Sequence, residues 1–279
     1  MTRNKSFDNK KPILYLIATP IGNLKEMSER ALEIINEMDV IAAEDTRNTF
    51  SLLANYGIKK ELFSLREHNE KEASQQLLEK IKAGKKVAYM SDAGYPGISD
   101  PGYLLVKEMI KNDVAVSTIS GSCAFINALV ASGLETNHFY FHGFLPAKES
   151  EAKEELLGIK DKEETIIFYE APHRILKTIN LIKEVFGSRE ACLARELTKI
   201  NEEYIRGTLE ELATLEEATL KGEMVLIIAG NKQVESIDDE KIIARVAYFV
   251  KLGLSQKDAI NVVSDEYNVN KNYVKKLVF

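Results

Sequence analysis

Short apolar runs recur along most of the chain, and segments of helical periodicity separate them. Apolar runs of this length that are rich in β-branched side chains are typical of strands buried on both faces of a sheet. We predict such strands at residues 13–18, 40–43, 87–90, 114–119, 139–144, 165–169, 191–194 and 224–229. Residues 28–38 and 70–83 place apolar side chains on one helical face, and Gly84 suits the end of the second helix. Because strands and helices alternate, the sequence predicts an α/β fold.

A polar stretch at residues 231–239 follows the last predicted strand and precedes a segment without a strand pattern. We interpret this stretch as a linker, and we place a second boundary near residues 120–125. Helices are expected beyond the linker at residues 240–252, at residues 255–267, where Ser255 and Asp258 resemble a capping box, and at residues 272–279. The predicted domains are an N-terminal α/β lobe at 1–120, a second α/β lobe at 121–231 and a helical appendage at 232–279.

Composition places the chain among ordinary folded proteins. Its 279 residues are 45% hydrophobic and 29% charged, so a sizeable core and more than one domain are expected. No apolar run approaches the roughly 20 residues that span a bilayer, and we expect a cytoplasmic protein without membrane contact. Cys123 and Cys192 are too few for a disulfide framework, and the four histidines are scattered, so no metal site is predicted.

The net charge of −6 counts against a protein that coats nucleic acid indiscriminately, because such binding needs many cations on phosphates. Residues 240–279 differ, since seven Lys and Arg against four Asp and Glu leave +3 there. Within this tail, Lys271, Lys275 and Lys276 are candidates for RNA contact. The helical pattern is equally compatible with packing or dimer contact.

Three loops after predicted strands are suited to hold a small ligand. Thr19-Pro20-Ile21-Gly22-Asn23 follows the first strand and lacks the G-x-G-x-x-G fingerprint of dinucleotide sites. The stretch SDAGYPGISDPG, residues 91–102, holds three glycines and two prolines, which stiffen a backbone and let a ligand approach it closely. Small residues at 120–124 also allow close approach, and we interpret Cys123 there as a packing residue rather than a nucleophile.

Charged side chains follow three other predicted strands. The sequence Glu44-Asp45-Thr46-Arg47 ends one of them, residues 170–174 (EAPHR) end the next, and residues 195–199 (RELTK) end the third. Such ends would form a polar cleft able to grip phosphates and to hold a base. Taken singly, each is more typical of a solvated charge pair.

In their order along the chain, several stretches resemble the tetrapyrrole methylase superfamily, and in particular its branch that methylates a ribose 2′-hydroxyl of small-subunit ribosomal RNA. The stretches are LYLIATPIGNL at 14–24, AAEDTR at 42–47, SDAGYPGISDPG at 91–102, FHGFLP at 141–146, FYEAPHR at 168–174, ARELTK at 194–199 and GEMVL at 222–226. Two departures are Tyr95, where the family has Thr, and Ser120, where it has Pro.

The resemblance implies two α/β lobes with S-adenosylmethionine in the cleft between them, in a homodimer. It assigns the methyl donor to Pro20, Gly22, Asp92, Ala93, Gly94, Pro96, Gly97, Ser122, Cys123, Ala124, Tyr169, Met224 and Val225. Candidates for a general base are Glu44, Asp45, Glu170 and His173, and our hypothesis favours the Glu44-Asp45 pair. Candidates for RNA phosphate are Arg47, Arg174, Arg195 and Lys199 together with the three tail lysines.

Two other functions remain open at this stage. One is C-methylation of a tetrapyrrole by a small-molecule member of the superfamily. The AEDTR and YEAPHR segments and the basic tail make this function less favoured, because they resemble the RNA branch. The other is an RNA-binding assembly factor without catalysis, which only the departures Tyr95 and Ser120 favour. The resemblance points to a cytidine in the decoding region, and leaves open whether the substrate is free RNA or an assembled subunit.

Overall fold

The computed structural model describes residues 12–231, 239–267 and 269–278. The chain divides into two compact units, Met1–Gly230 and Asn231–Phe279. Most of the predicted linker lies outside the described residues, as does the last position of the third predicted tail helix. No helix in the described part of the chain is long and apolar enough to cross a membrane.

The first half of the larger unit is built on a fully parallel five-stranded sheet. Its strands are β1 (Ile13–Ile17), β2 (Val40–Ala43), β3 (Glu61–Ser64), β4 (Val87–Met90) and β5 (Ala115–Ile119), in the order β3-β2-β4-β1-β5. The connecting helices are α1 (Glu29–Glu37), α2 (Thr46–Asn55), α3 (Glu70–Lys82) and α4 (Tyr103–Lys111). Parallel pairing places the carboxyl ends of all five strands at one edge, so the loops that follow them meet there.

Alternate residues of these strands face two separate cores. Val87 and Tyr89 of β4 pack with α3 and α4, whereas Ala88 and Met90 pack with α1 and α2. The central strands are therefore apolar at every position, which explains the continuous apolar runs in the sequence.

The second half of the larger unit holds a mixed five-stranded sheet. Its strands are β6 (Phe139–Phe144), β7 (Thr165–Glu170), β8 (Glu190–Arg195), β9 (Glu203–Thr208) and β10 (Met224–Ile228), in the order β6-β7-β10-β8-β9. Strands β6 and β7 pair in parallel, and the other described pairs of this sheet are antiparallel. Its helices are α5 (Ala124–Ser132), α6 (Glu149–Ile159), α7 (Ile175–Phe186) and the short α8 (Leu209–Leu212).

Ile21 links the two halves. It belongs to the loop after β1, yet it is buried in the core that α5 forms with β7, β8 and β10, next to Ala128, Leu129 and Ile167. Residues of both sheets thus form one continuous unit. The α/β fold is confirmed, and the division of this unit at residue 120 stays a prediction.

The smaller unit is a cluster of three helices. They are α9 (Asp239–Lys251), α10 (Gln256–Glu266) and α11 (Lys271–Val278), which bury Ile242, Val246, Ala259, Val263 and Val274 between them. Ser255 caps α10, because its Oγ accepts the Asp258 N–H at 3.2 Å. The helices predicted for the tail are present, with ends shifted by a residue or so.

Candidate active site

A cavity of about 350 Å³ opens where the loops of both halves meet. Residues 93–95 and 98–100 of the loop after β4 form one wall, and Cys123 and Ala124 at the start of α5 form another. The second sheet contributes residues 169–172 and 223–225. The cavity therefore lies at the carboxyl edge of the parallel sheet, where ligands of open α/β sheets bind.

The near end of the loop after β4 is held by the strand-end residue Thr19. Its N–H donates to the Gly94 carbonyl at 2.9 Å, and the Gly94 N–H donates back at 3.1 Å. The Thr19 hydroxyl donates to the Ser91 carbonyl at 3.3 Å, and the Ser91 hydroxyl donates to Gly94 O at 3.2 Å. Gly94 has φ +75°, a conformation that costs glycine little. The local backbone is therefore fixed before any ligand enters.

The far end of the same loop is anchored by Glu70. This buried carboxylate accepts the N–H groups of Gly102 and Leu104 at 2.8 Å and of Leu105 at 3.3 Å, all at the start of α4. It thereby satisfies free donors of that helix terminus. Gly102 approaches Gly97 so closely that a Cβ on it would lie 3.1 Å from Gly97 N. The loop is clamped at both ends.

Two tyrosine hydroxyls hold the opposite wall. Tyr95 accepts the Gly121 N–H at 3.2 Å, and Tyr169 accepts the Phe125 N–H at 3.3 Å. Burial raises the pKa of Tyr169 well above its usual range, so its hydroxyl stays protonated. Tyr95, one of the two departures from the family pattern, thus ties the loop after β4 to the loop after β5.

The cavity walls are rich in carboxylates. Among the described residues that line it there is no Lys or Arg, whereas Asp100, Glu170 and Glu223 are present. Burial, followed by the charges of Glu44 and Asp92, raises the pKa of Asp100 to about 7, and a hydrogen bond from Ser91 opposes this shift. A cavity of this polarity favours a cationic ligand over an anionic one.

The sequence model described as Tetrapyrrole (Corrin/Porphyrin) Methylases matches residues 13–213, which hold every named strand except β10 and most of the residues that line the cavity. The chain belongs to the tetrapyrrole methylase family. Within it, proteins named ribosomal RNA small subunit methyltransferase I are similar over nearly their full length. The one from Halalkalibacterium halodurans is 42% identical over 94% of this chain and 92% of its own, and the one from Vibrio cholerae is 42% identical over 99% and 97%.

Solved structures show the same fold at low identity. Diphthine synthase has a TM-score of 0.61 at 14% identity, covering 78% of this methylase and 89% of that chain. Uroporphyrin-III C-methyltransferase from Thermus thermophilus, complexed with S-adenosyl homocysteine, has a TM-score of 0.55 at 16% identity, covering 78% and 96%.

The structure brings about half of the predicted donor residues of this methylase to the cavity. Those in the lining are Ala93, Gly94, Cys123, Ala124, Tyr169, Met224 and Val225. Those outside it are Pro20, Gly22, Asp92, Pro96, Gly97 and Ser122. Burial raises the pKa of the Cys123 thiol, which suits a packing role better than a nucleophilic one.

Several residues outside the lining have structural partners instead. Asp92 accepts the Asp45 N–H at 3.2 Å and the Asn48 side-chain amide at 2.6 Å, so it connects the loop to α2. The Ser122 hydroxyl donates to Glu26 at 2.5 Å. Gly22 lies under a lysine, since a Cβ there would be 2.5 Å from Lys199 Cγ. These residues hold the loops around the cavity in place.

Of the four candidates for the general base, only Glu170 lines the cavity. Its buried carboxylate accepts the Thr178 hydroxyl at 2.6 Å and the Ala171 N–H at 2.8 Å, and lies 3.4 Å from Arg174 Nε. Asp45 caps α2 and binds Arg47 at 2.6 Å, which holds the pKa of this carboxyl far below its usual range.

The other two candidates differ from each other. Burial and the nearby Asp92 raise the pKa of Glu44, which lies beside the cavity loop without lining the cavity. His173 is exposed on the turn before α7. The assignment of the base therefore stays a prediction.

The predicted phosphate ligands fall into two groups. Arg174 donates to the Leu145 and Pro146 carbonyls at 3.0 Å, Arg195 binds Glu203 at 2.5 Å, and Lys199 binds Glu196 at 2.9 Å and Glu223 at 3.1 Å. These three are held by the protein itself. In contrast, Lys271, Lys275 and Lys276 are exposed on α11, and the Arg47 side chain is 84% exposed although it is paired with Asp45.

Proposed function

We propose that this chain transfers a methyl group from S-adenosylmethionine to a ribose 2′-hydroxyl of small-subunit ribosomal RNA. The observation that carries the proposal is the cavity beside the loop after β4. Its described lining holds carboxylates and aromatic rings but no Lys or Arg. The methyl donor carries a sulfonium, an ammonium and a carboxylate group, and its net positive charge complements these walls. The full-length relatives named as ribosomal RNA methyltransferases supply the substrate class.

The residues present fit such a donor. Ala93 and Gly94 put backbone without bulky side chains on the cavity wall, and Cys123, Ala124 and Val225 add small apolar surface. The Tyr169 ring lies in the same wall, where an aromatic face attracts a cation. We infer that these residues hold the donor. The bound donor supplies an electrophilic methyl carbon on a positively charged sulfur.

The protein contributes alignment and polarity. Positive charge on sulfur disappears during the transfer, so a strong anion held against it would stabilise the ground state more than the transition state. Backbone carbonyls and apolar walls avoid that penalty. The loop that Thr19 and Glu70 hold in place keeps the methyl donor and the ribose hydroxyl aligned. Such alignment is a large source of rate enhancement.

Exposed cations supply the contact with RNA. Arg47 follows the loop end of β2, and the tail lysines Lys271, Lys275 and Lys276 form an exposed basic group on α11. We expect a cytidine in the decoding region as the target nucleotide, in free RNA or in the assembled subunit. A homodimer and a cytoplasmic location accompany this proposal as predictions, and sedimentation of the purified protein tests the former.

The test compares substrates and the donor separately. Purified protein is incubated with methyl-labelled S-adenosylmethionine and either small ribosomal subunits or a porphyrinogen, and calorimetry measures binding of S-adenosylhomocysteine. Label in the RNA that maps by mass spectrometry to a ribose supports the proposal. Label in the porphyrinogen alone indicates a tetrapyrrole methylase, and absence of both heat and transfer indicates a non-catalytic assembly factor.

A further inference from the structure

Among the described residues, three carboxylates line the cavity, and other groups of the protein bind two of them. Glu170 is surrounded by the Thr178 hydroxyl, the Ala171 N–H and Arg174, and Glu223 binds Lys199 Nζ at 3.1 Å. Asp100 has a different environment: the charges that act on its carboxyl are those of Glu44 and Asp92, and the Ser91 hydroxyl donates a hydrogen bond to it. It is therefore the cavity carboxylate whose oxygens are most available to a hydroxyl group of a substrate.

The backbone gives Asp100 a fixed position. The preceding residue, Ser99, has φ +60°, and the two following residues are held by bonds from Tyr89 to the Pro101 carbonyl at 2.9 Å and from Gly102 N–H to Glu70. A non-glycine residue in this conformation stores strain that the surroundings must offset. Such positioning suits a group that must meet a reacting atom.

We propose that Asp100 is the general base that accepts the proton of the ribose 2′-hydroxyl. This assignment rests on the proposed function. Asp100 takes the hydroxyl proton as the ribose oxygen forms its bond to the methyl carbon and the bond between that carbon and sulfur breaks. The electron pair of the broken bond stays on sulfur, so a neutral thioether, a methyl ether and a protonated Asp100 result.

The charge balance of this step suits the cavity. One negative charge on Asp100 and one positive charge on the donor disappear together, and a partly buried site of low polarity favours loss of charge. A carboxylate that stayed ionised beside the sulfur would lack this advantage.

The titratable neighbours tune Asp100 for proton transfer. Burial, followed by the charges of Glu44 after β2 and of Asp92 in the same loop, raises its pKa to about 7, near the pH at which a general base is most effective. Tyr89 and Tyr169 lie near enough for Asp100 to raise the pKa of each, and both stay protonated. A cationic donor bound beside Asp100 would favour its ionised form, which is the form that accepts a proton.

Single-turnover methyl transfer to small ribosomal subunits tests the assignment in full-length protein. Asp100→Asn keeps the shape of the side chain and removes the proton acceptor, so the rate should fall by about 100-fold or more. Calorimetry should show unchanged affinity for S-adenosylhomocysteine, which a collapsed cavity would not allow. Asp100→Glu should recover part of the rate.

The pH profile separates a base from a residue that only shapes the cavity. The wild-type rate should rise with pH along an acid limb centred at or below about 7, and the residual rate of Asp100→Asn should lack this limb. Glu44→Gln is the competing variant, because Glu44 is the neighbouring candidate. A larger loss of rate in Glu44→Gln than in Asp100→Asn would transfer the role to Glu44 and overturn the assignment.

Failure of this assignment is distinguishable from failure of the proposed function. If the wild-type protein methylates subunits and Asp100→Asn does so at a similar rate, Asp100 is not the base although the enzyme is a ribose methyltransferase. If the wild-type protein transfers no methyl group to subunits, both proposals are overturned.

Discussion

Asp100 keeps its proton at pH values where the same side chain in an unfolded chain has lost it. Its pKa is raised to about 7, chiefly by burial and then by Glu44 and Asp92, whereas a solvated aspartate titrates at about 3.9. Asp100 therefore lowers the free energy of unfolding once the pH rises above the pKa that this side chain has in the unfolded chain.

Replacing Asp100 by Asn should change the pH dependence of stability. Between about pH 4 and pH 7 the unfolded chain loses this proton while the folded chain retains it, so the destabilisation grows through that window and is complete above it. Asp100→Asn should therefore raise the melting temperature more at about pH 8 than at about pH 5. Calorimetry at the two pH values measures this difference. Glu33→Gln, on the exposed face of α1, is the control, and an equal shift in both variants would contradict the expectation.

Gly102 allows the loop after β4 to close on itself. Its φ is +141°, and a Cβ would lie 3.1 Å from Gly97 N and 3.2 Å from a ring carbon of Tyr89. Gly84 has a similarly positive φ of +89° but open space around it. The two positions thus separate backbone strain from crowding.

Gly102→Ala should destabilise the fold more than Gly84→Ala does. Both variants carry the cost of a left-handed conformation, about 1–2 kcal/mol, and only Gly102→Ala adds overpacking of about 1–3 kcal/mol. Urea unfolding of both variants measures the difference. Equal losses would mean that the Gly97 backbone moves aside without cost.

At the scale of elements, Glu70 joins the start of α3 to the start of α4. One carboxylate oxygen accepts three backbone N–H groups, and the surrounding residues exclude water from it. The loop between β4 and α4 therefore ends on a helix whose position is set by another helix. Glu70 therefore fixes the loop that forms the cavity wall to the buried core.

Glu70→Ala should lower the free energy of unfolding by about 2–4 kcal/mol, because it leaves buried backbone donors without an acceptor. It should also weaken binding of S-adenosylhomocysteine, since residues 98–100 of the loop lose their anchor. Glu72→Ala is the matched control, an exposed glutamate two positions further along α3 whose loss should cost less than about 0.5 kcal/mol. Urea unfolding and calorimetry test both effects. A similar cost in the two variants would show that the three hydrogen bonds contribute little.

The sequence predicts eight of the ten named strands, including the edge strands β5 and β6, but it misses the other two edge strands. All eight apolar runs that the sequence analysis names are strands in the structure. The edge strands β3 and β9 are not predicted, because partial exposure breaks their apolar pattern with Glu61, Glu203 and Arg206. Helices α2, α4, α6 and α7 also escape prediction, although α4 and α7 have clear apolar faces.

The site is predictable only as far as local sequence determines it. The stiff loop at residues 91–102 stands out by its glycines and prolines and does line the cavity. Asp100, the second aspartate of this loop, lines the cavity although it is not among the site residues predicted from the sequence. Pairings such as Arg195 with Glu203 or Arg174 with Pro146 depend on strand neighbours and long-range contacts, which spacing along the chain does not reveal.

At the scale of the whole molecule, the local charge of α11 is opposite in sign to the net charge of the chain. The chain carries a net −6, yet α11 exposes three lysines within six residues. Their neighbour Val274 is buried in the helical core, so the lysines project from a folded surface rather than from a loose end. A basic group in an acidic protein is suited to local contact with phosphate without indiscriminate binding.

The combined change Lys271→Glu, Lys275→Glu and Lys276→Glu should weaken binding to small ribosomal subunits and reduce its dependence on salt. Each phosphate contact contributes about 0.7 to 0.9 to the slope of log affinity against log salt concentration, so loss of three lowers the slope by about 2. Binding measured between low and physiological salt gives this slope. The matched control replaces Lys59, Lys85 and Lys86 by Glu. These three exposed lysines lie just before β3 and β4, at the edge of the sheet opposite the cavity. Since both variants change net charge equally, an equal loss in the control would assign the effect to overall charge, and an unchanged slope in the α11 variant would assign these lysines to packing or dimer contact.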